Sequence, residues 1–138
     1  MKKHLLETLR WILVLPLSGV VLLGAYQLVL MTHWVFFFIN NAFFNWIVEL
    51  FAGSIGSVAF IYTGTLIAPR FRKIVCFILL ILYLIYCVNT IVKIHATYEG
   101  WEFMEWLSYS LTNIVAAIAG YMTVSYTHLR AHETSLHL

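Results

Sequence analysis

Four long stretches of this chain are almost entirely apolar, and short polar stretches separate them. They cover about residues 11–31, 46–68, 74–94 and 106–124. Each has close to the roughly 20 residues that a helix needs to cross a bilayer. This pattern predicts an all-α membrane protein, a four-transmembrane-helix bundle in one domain over residues 1–124.

The first apolar stretch could also be a secretory signal peptide. A signal peptide has an apolar region of only about 7–15 residues and a small-x-small cleavage site. Residues 11–31 carry no charge over 21 positions, and no such site follows them. We therefore interpret them as a first membrane span, which Pro16 either starts or kinks.

The connection from the first to the second span allows two conformations. Residues 32–45, THWVFFFINNAFFN, have no charge and contain five Phe, a composition typical of the headgroup boundary. The segment either extends the first helix to about Phe38, with Asn40 and Asn41 in the turn, or lies flat at the membrane surface.

Composition supports lipid as the solvent. The 138 residues are 62% hydrophobic and 10% charged, whereas soluble domains average roughly 25% charged residues. A net charge of +2 is too small to indicate nucleic acid. Cys76 and Cys87 are about 16 Å apart along one helix, too far for a disulfide.

The distribution of Lys and Arg predicts the orientation. Cytoplasmic connections carry an excess of these residues. In this chain Lys and Arg are concentrated before the first span and between the second and third spans. We expect these residues to set the topology, and they are Lys2, Lys3, Arg10, Arg70, Arg72 and Lys73. We therefore expect both termini on the cytoplasmic side of a cell membrane, presumed bacterial.

Small residues mark the faces through which the helices pack. Such residues let helix backbones approach closely in lipid. One face of the second span and one face of the fourth are rich in them, and the predicted packing face comprises Ala52, Gly53, Gly56, Ser57, Gly64, Ala116, Ala117 and Gly120. The face of the fourth span also carries Tyr109 and Ser110, and a stripe on the third span includes Tyr83, Tyr86 and Thr90.

Polar residues inside the spans cluster in the predicted outer half of the membrane. The candidate buried layer consists of Gln27, Glu49, Asn89, Lys93 and Asn113. A carboxylate in lipid is costly unless it is paired or hydrated. Three interpretations remain open for Glu49: anchoring at the interface, a structural ion pair with Lys93, and a role in transport or binding.

Motifs for catalysis, cofactors or metals do not stand out in the sequence. His95 and Glu99 have the i, i+4 spacing of metal ligands on a helix, and His33 could add a third. Gly100 and the interleaved aromatics argue against a stable helix there. We predict no catalytic residues, no cofactor and no metal site.

The C-terminal tail differs from the rest of the chain. Residues 125–138 contain His128, His132 and His137, which would suit a metal-binding tail. The string SYTHLRAHET, Ser125–Thr134, however, resembles translated sequencing-adaptor read-through. The resemblance implies that residues 125–138 are a non-native tail.

Two classes of function follow from this architecture. The first is an accessory or structural membrane protein that acts by packing its helices against a second copy or a larger membrane partner. The alternative is a subunit of a small oligomeric transporter or channel that uses Glu49 in the outer leaflet.

Overall fold

The computed structural model describes residues 2–35 and 41–135, which form four α-helices. Each of them is long and apolar enough to cross a membrane, which confirms the predicted all-α fold with four helices of membrane-spanning length. The helices are α1 (Lys2–Val35), α2 (Ala42–Ile67), α3 (Arg72–Thr97) and α4 (Gly100–Ser135).

The connection between α1 and α2 is mostly helical. Residues 32–35 continue α1, and α2 begins at Ala42 after the N-cap residue Asn41. The side-chain oxygen of Asn41 accepts a hydrogen bond from the backbone N–H of Phe44 at 2.7 Å, which satisfies one of the free donors of the first turn. A flat surface segment is therefore wrong for residues 32–35 and 42–45, while residues 36–40 lie outside the described part.

Helix α2 is the centre of the bundle. It packs against each of the other helices, whereas α1 approaches the backbone of α2 alone within the described residues. Short connections make consecutive helices antiparallel: α1 with α2, α2 with α3, and α3 with α4. Helices α2 and α4 run parallel, since Trp46 contacts Ser108 near their starts and Val58 contacts Gly120 further along.

Glycines explain how three helices fit around α2. A Cβ on Gly64 would meet both Ser18 of α1 and Leu79 of α3, and a Cβ on Gly120 would lie 3.4 Å from the Cα of Val58. In lipid there is no hydrophobic driving force between helices, so close approach of their backbones stabilises the contact through van der Waals packing.

Two apolar clusters fill the interior. The larger joins α2, α3 and α4 around Ile61, Leu80 and Ala117. The smaller brings Val14 of α1 together with Val75 of α3. Van der Waals packing in these clusters is the main favourable contact between the helices.

The end of the bundle that carries Arg10, here called the Arg10 end, is held by charged hydrogen bonds. Arg10 Nε donates to the carbonyl of Ile67 at 3.0 Å, and its Nη2 donates to that of Leu66 at 3.4 Å. A cation at the C-terminus of α2 complements the helix dipole and satisfies its free carbonyls. Arg70 forms an exposed ion pair with Glu7 at 3.2 Å.

The other predicted topology-setting residues have varied surroundings. Arg72 Nε donates to the carbonyl of Ala68 at 3.4 Å, and Lys73 is exposed. The side chains of residues 2 and 3 lie outside the described part.

Phe71, in the turn between α2 and α3, has a left-handed backbone with φ 54° and ψ 37°. This conformation is costly for a residue with a Cβ.

Helix α4 continues beyond the predicted end of the fourth span. It is helical to Ser135, but Val124 is its last buried residue among those whose side chains are described. Tyr126 and Thr127 are exposed. The three histidines of the tail fall outside the described side chains, and the non-native origin of residues 125–138 stays a prediction.

Candidate binding cavity

The predicted polar layer is divided by the structure. Glu49 and Asn113 line a partly open cavity between the helices, whereas Gln27, Asn89 and Lys93 lie exposed on the outside of the bundle. The prediction that all five form one buried layer is therefore wrong.

Helix rotation explains the division. Gln27 follows the buried Ser18 by nine residues, and Asn89 follows the buried Leu80 by nine. At about 100° per residue, nine residues place a side chain on the opposite face of the helix. Similar depth in the membrane did not imply a shared face.

The hypothetical ion pair between Glu49 and Lys93 does not form. Among the described side chains, the ion pair found is that of Arg70 with Glu7 at the other end of the bundle. Lys93 immediately precedes Ile94, which is buried, and Lys93 itself is exposed. Its side chain therefore lies beside the buried face of α3 and not on it. It is thus placed to reach the headgroups rather than Glu49.

The cavity lies at the end of the bundle that carries Glu49, here called the Glu49 end, and has a volume of about 190 Å³. All four helices contribute to its walls. The lining residues are Tyr26 from α1, Glu49 and Gly53 from α2, Tyr86, Cys87, Thr90 and Ile94 from α3, and Trp106, Tyr109, Ser110 and Asn113 from α4. A wider hollow near residues 121–127 is lined by α4 alone and is a feature of the surface.

Glu49 lies deeper than the sequence suggested. The predicted second span began at about residue 46, which placed Glu49 one turn inside it. Because α2 begins at Ala42, Glu49 is two turns in, about 10 Å along the axis. The residue is half-buried, a position that weakens the interpretation as a simple interface anchor.

Two tyrosines lie near the carboxylate of Glu49. It interacts electrostatically with Tyr26 of α1 and with Tyr109 of α4. The hydroxyl of Tyr109 also donates a hydrogen bond of 3.0 Å to Oε1 of Glu105, one turn earlier on α4. Two carboxylates therefore share the neighbourhood of one hydroxyl, which concentrates negative charge at this end of the cavity.

Asn113 adds an unused acceptor to the wall. Its Oδ1 is buried and accepts no hydrogen bond from the described residues. A buried acceptor without a donor is costly. Gly53 makes room for this side chain, since a Cβ there would lie 2.6 Å from Nδ2 and 2.8 Å from Cγ of Asn113.

Aromatic rings form much of the remaining wall. Trp106 and Tyr109 meet edge to face, with ring centroids 5.6 Å apart and planes at 80°. Tyr98 stacks on Trp106 at 5.9 Å, and Tyr86 lies 5.9 Å from Tyr83. These contacts hold the rings that border the cavity in fixed orientations.

The candidate metal ligands at this end are described only in part, because the side chain of His33 lies outside the described residues. Among the described side chains, no group of three or more His, Cys, Asp and Glu residues is arranged to hold an ion. Helix α3 ends at Thr97, so Glu99 does not share a helical face with His95. The ring of His95 instead packs against Phe103 at 5.3 Å.

Comparisons with protein-family models, curated proteins and solved structures give no match.

The predicted packing residues lie mostly inside the chain itself. Ala52, Ser57 and Ala117 are fully buried. Gly56, Gly64 and Gly120 are also buried, while Gly53 and Ala116 are partly exposed. Their neighbours belong to the same chain, so this face is used for folding.

The sequence indicated some of the cavity residues and missed others, namely Tyr26, Ile94 and Trp106. Tyr86, Thr90, Tyr109 and Ser110 belong to helical stripes that periodicity reveals. Tyr26 was hidden, because Gln27 was the polar residue that stood out on α1. A signal was present: Tyr26 is four residues after Leu22, which packs against the core, and such residues share a face.

Proposed function

We propose that this protein is an accessory or structural component of a membrane, and that it acts by packing α1 against another membrane helix. The observation that supports this function is the position of α1. Within the described residues its backbone approaches α2 alone, and it uses only one of its faces to do so.

The free face of α1 has the chemistry of a helix interface. Val20, Gly24, Gln27 and Met31 share one helical face, opposite to Ser18, and all four are exposed. No atom lies within 4 Å of the position that a Cβ on Gly24 would take. A small residue beside an amide is the combination that lets membrane helices approach and hydrogen-bond.

Gln27 gives this face its preference for a protein partner. An amide in the apolar part of a bilayer is stabilised by a hydrogen bond to another helix, by roughly 1 kcal/mol. The partner is a second copy of this chain or a larger membrane protein. The two have different masses, so one experiment separates them.

Photo-cross-linking in native membranes tests this function. A photoreactive amino acid is placed at Gly24, and the matched control has it at Ile85, which is exposed on α3. We expect an adduct from position 24 and none from position 85. Twice the mass of the chain identifies a second copy.

A second substitution makes the cross-linking test specific. Gln27→Leu should reduce the adduct about fivefold, in line with a lost hydrogen bond of about 1 kcal/mol. Asn89→Leu, an equivalent change on the exposed face of α3, should not reduce it. Equal adducts from positions 24 and 85, or an adduct unaffected by Gln27→Leu, would contradict the proposed role of α1.

The proposed orientation places the Arg10 end in the cytoplasm and the Glu49 end outside, in a bacterial plasma membrane. The excess of Lys and Arg at the Arg10 end supports it. Single cysteines at the exposed positions Lys73 and Trp101 would test it with a reagent that does not cross membranes. In intact cells we expect the reagent to label position 101 and not position 73. Labelling of position 73 alone would indicate the opposite orientation.

A second candidate function is a subunit of a small oligomeric transporter or channel. The depth of Glu49 in a cavity lined by all four helices favours it. Glu49→Gln should then abolish coupled transport in vesicles, whereas a protein that acts only by packing α1 should keep its cross-link unchanged.

A further inference from the structure

We propose that the cavity at the Glu49 end binds a compact organic monocation, with an alkylammonium or tetraalkylammonium head. The inference concerns the site of the second candidate function, and it goes further by naming the ligand class. Binding itself requires neither transport nor the packing of α1.

The charge of the cavity calls for a cation. Glu49 lines it, and Glu105 is joined to the wall through the hydroxyl of Tyr109. None of the lining residues that the structure describes is Lys, Arg or His, and Glu49 has no ion pair among the described side chains. A carboxylate two turns inside a membrane helix is unfavourable without a positive partner, so the site is complementary to a positive ligand.

The walls indicate an organic cation. Tyr26, Tyr86, Trp106 and Tyr109 bring aromatic rings from three helices to one cavity. Alkylated ammonium groups are recognised by such rings because the ring face is negative and the alkyl groups lose little hydration. The described residues at this end do not assemble the three or more ligands expected of a metal site.

The size of the cavity limits the ligand. Its volume of about 190 Å³ lies below the roughly 300–1,000 Å³ of pockets that hold drug-sized molecules. A small ammonium head fits this space, and a large planar dye does not.

Tetramethylammonium is the probe for this proposal. The intact chain in lipid nanodiscs is titrated with its chloride and followed by calorimetry and tryptophan fluorescence, with sodium chloride as the ionic control. We expect saturable binding that equimolar sodium does not displace. Neopentyl alcohol, which has a similar shape and no charge, should not bind detectably.

Matched variants locate the site. Glu49→Gln keeps the shape of the side chain, removes the charge, and should weaken binding about tenfold or more. Trp106→Leu removes one aromatic wall and should weaken binding roughly three- to tenfold by calorimetry. Glu102→Gln removes an exposed carboxylate near the same end of the bundle and should change affinity by less than about twofold.

Several results would overturn the proposal. They are the absence of saturable binding, equal binding of neopentyl alcohol, displacement by sodium, and equal effects of Glu49→Gln and Glu102→Gln. Circular dichroism verifies folding, and if Glu49→Gln does not fold, the effect of Trp106→Leu decides. Cross-linking from position 24 is measured on the same samples, so loss of binding and loss of helix packing are separate outcomes.

Discussion

Gly64 is the position where a single methyl group should disturb two helix contacts. A Cβ at this residue would overlap Cδ1 of Leu79 and would lie 3.4 Å from Cβ and Oγ of Ser18. Leu79 is only 2% exposed, so its methyl group has little space to move. Gly64→Ala therefore requires Leu79 to change its rotamer in a filled interior, or α2 to shift relative to α3.

The magnitude follows from two opposing effects. Overpacking a filled interior by about one methyl group costs roughly 1–3 kcal/mol. Alanine in place of glycine inside a helix gains up to about 1 kcal/mol. Gly24→Ala receives the same gain without the clash, because nothing lies within 4 Å of its added methyl group. The two variants should thus differ by about 1–3 kcal/mol in the free energy of unfolding.

Unfolding in mixed micelles with increasing sodium dodecyl sulfate measures this difference, with helix content and tryptophan fluorescence as probes. Gly120→Ala provides an intermediate case, since its methyl group would meet Val58 at ordinary contact distances of 3.4 Å or more. Equal stability of the Gly64 and Gly24 variants would refute the tight junction of α1, α2 and α3.

Four further predictions concern the ends of the helices and of the chain. Arg10→Gln should lower the free energy of unfolding by about 1–2 kcal/mol through loss of charged hydrogen bonds to the end of α2, whereas Lys73→Gln, the control in the same micelle assay, should have almost no effect. Phe71→Gly should raise the melting temperature, because the left-handed backbone costs a residue with a Cβ about 1 kcal/mol, and an unchanged or lower value would contradict this. Truncation after Thr127 should change stability by less than about 0.5 kcal/mol, and resequencing of the source gene should find no in-frame codons for residues 125–134.

The fold could be predicted because lipid imposes a simple rule on the chain. Backbone groups must be satisfied within each span, so four apolar runs become four helices. The exact bounds were less accessible. Asn41 caps α2, which therefore begins four residues before the predicted apolar span. Hydropathy does not distinguish a polar side chain that caps a helix from one that lies in a loop.

The candidate site was harder to predict, because it depends on how each helix is rotated. Gln27 and Asn89 are polar residues at suitable depth, yet each lies opposite the buried stripe of its helix. Glu49 and Asn113 face inward because Gly53 leaves space between α2 and α4. Sequence periodicity shows which residues share a face, but packing between helices decides which face is turned inward.

The central position of α2 has a consequence for biosynthesis. Chains emerge from the ribosome N-terminus first, so the α1–α2 hairpin is complete before α4 has been made. Helix α4 alone contributes Trp106, Tyr109 and Asn113 to the wall around Glu49. The cavity is therefore the last part of the protein to be assembled, and every newly inserted chain passes through a stage in which this carboxylate lacks the wall that α4 supplies.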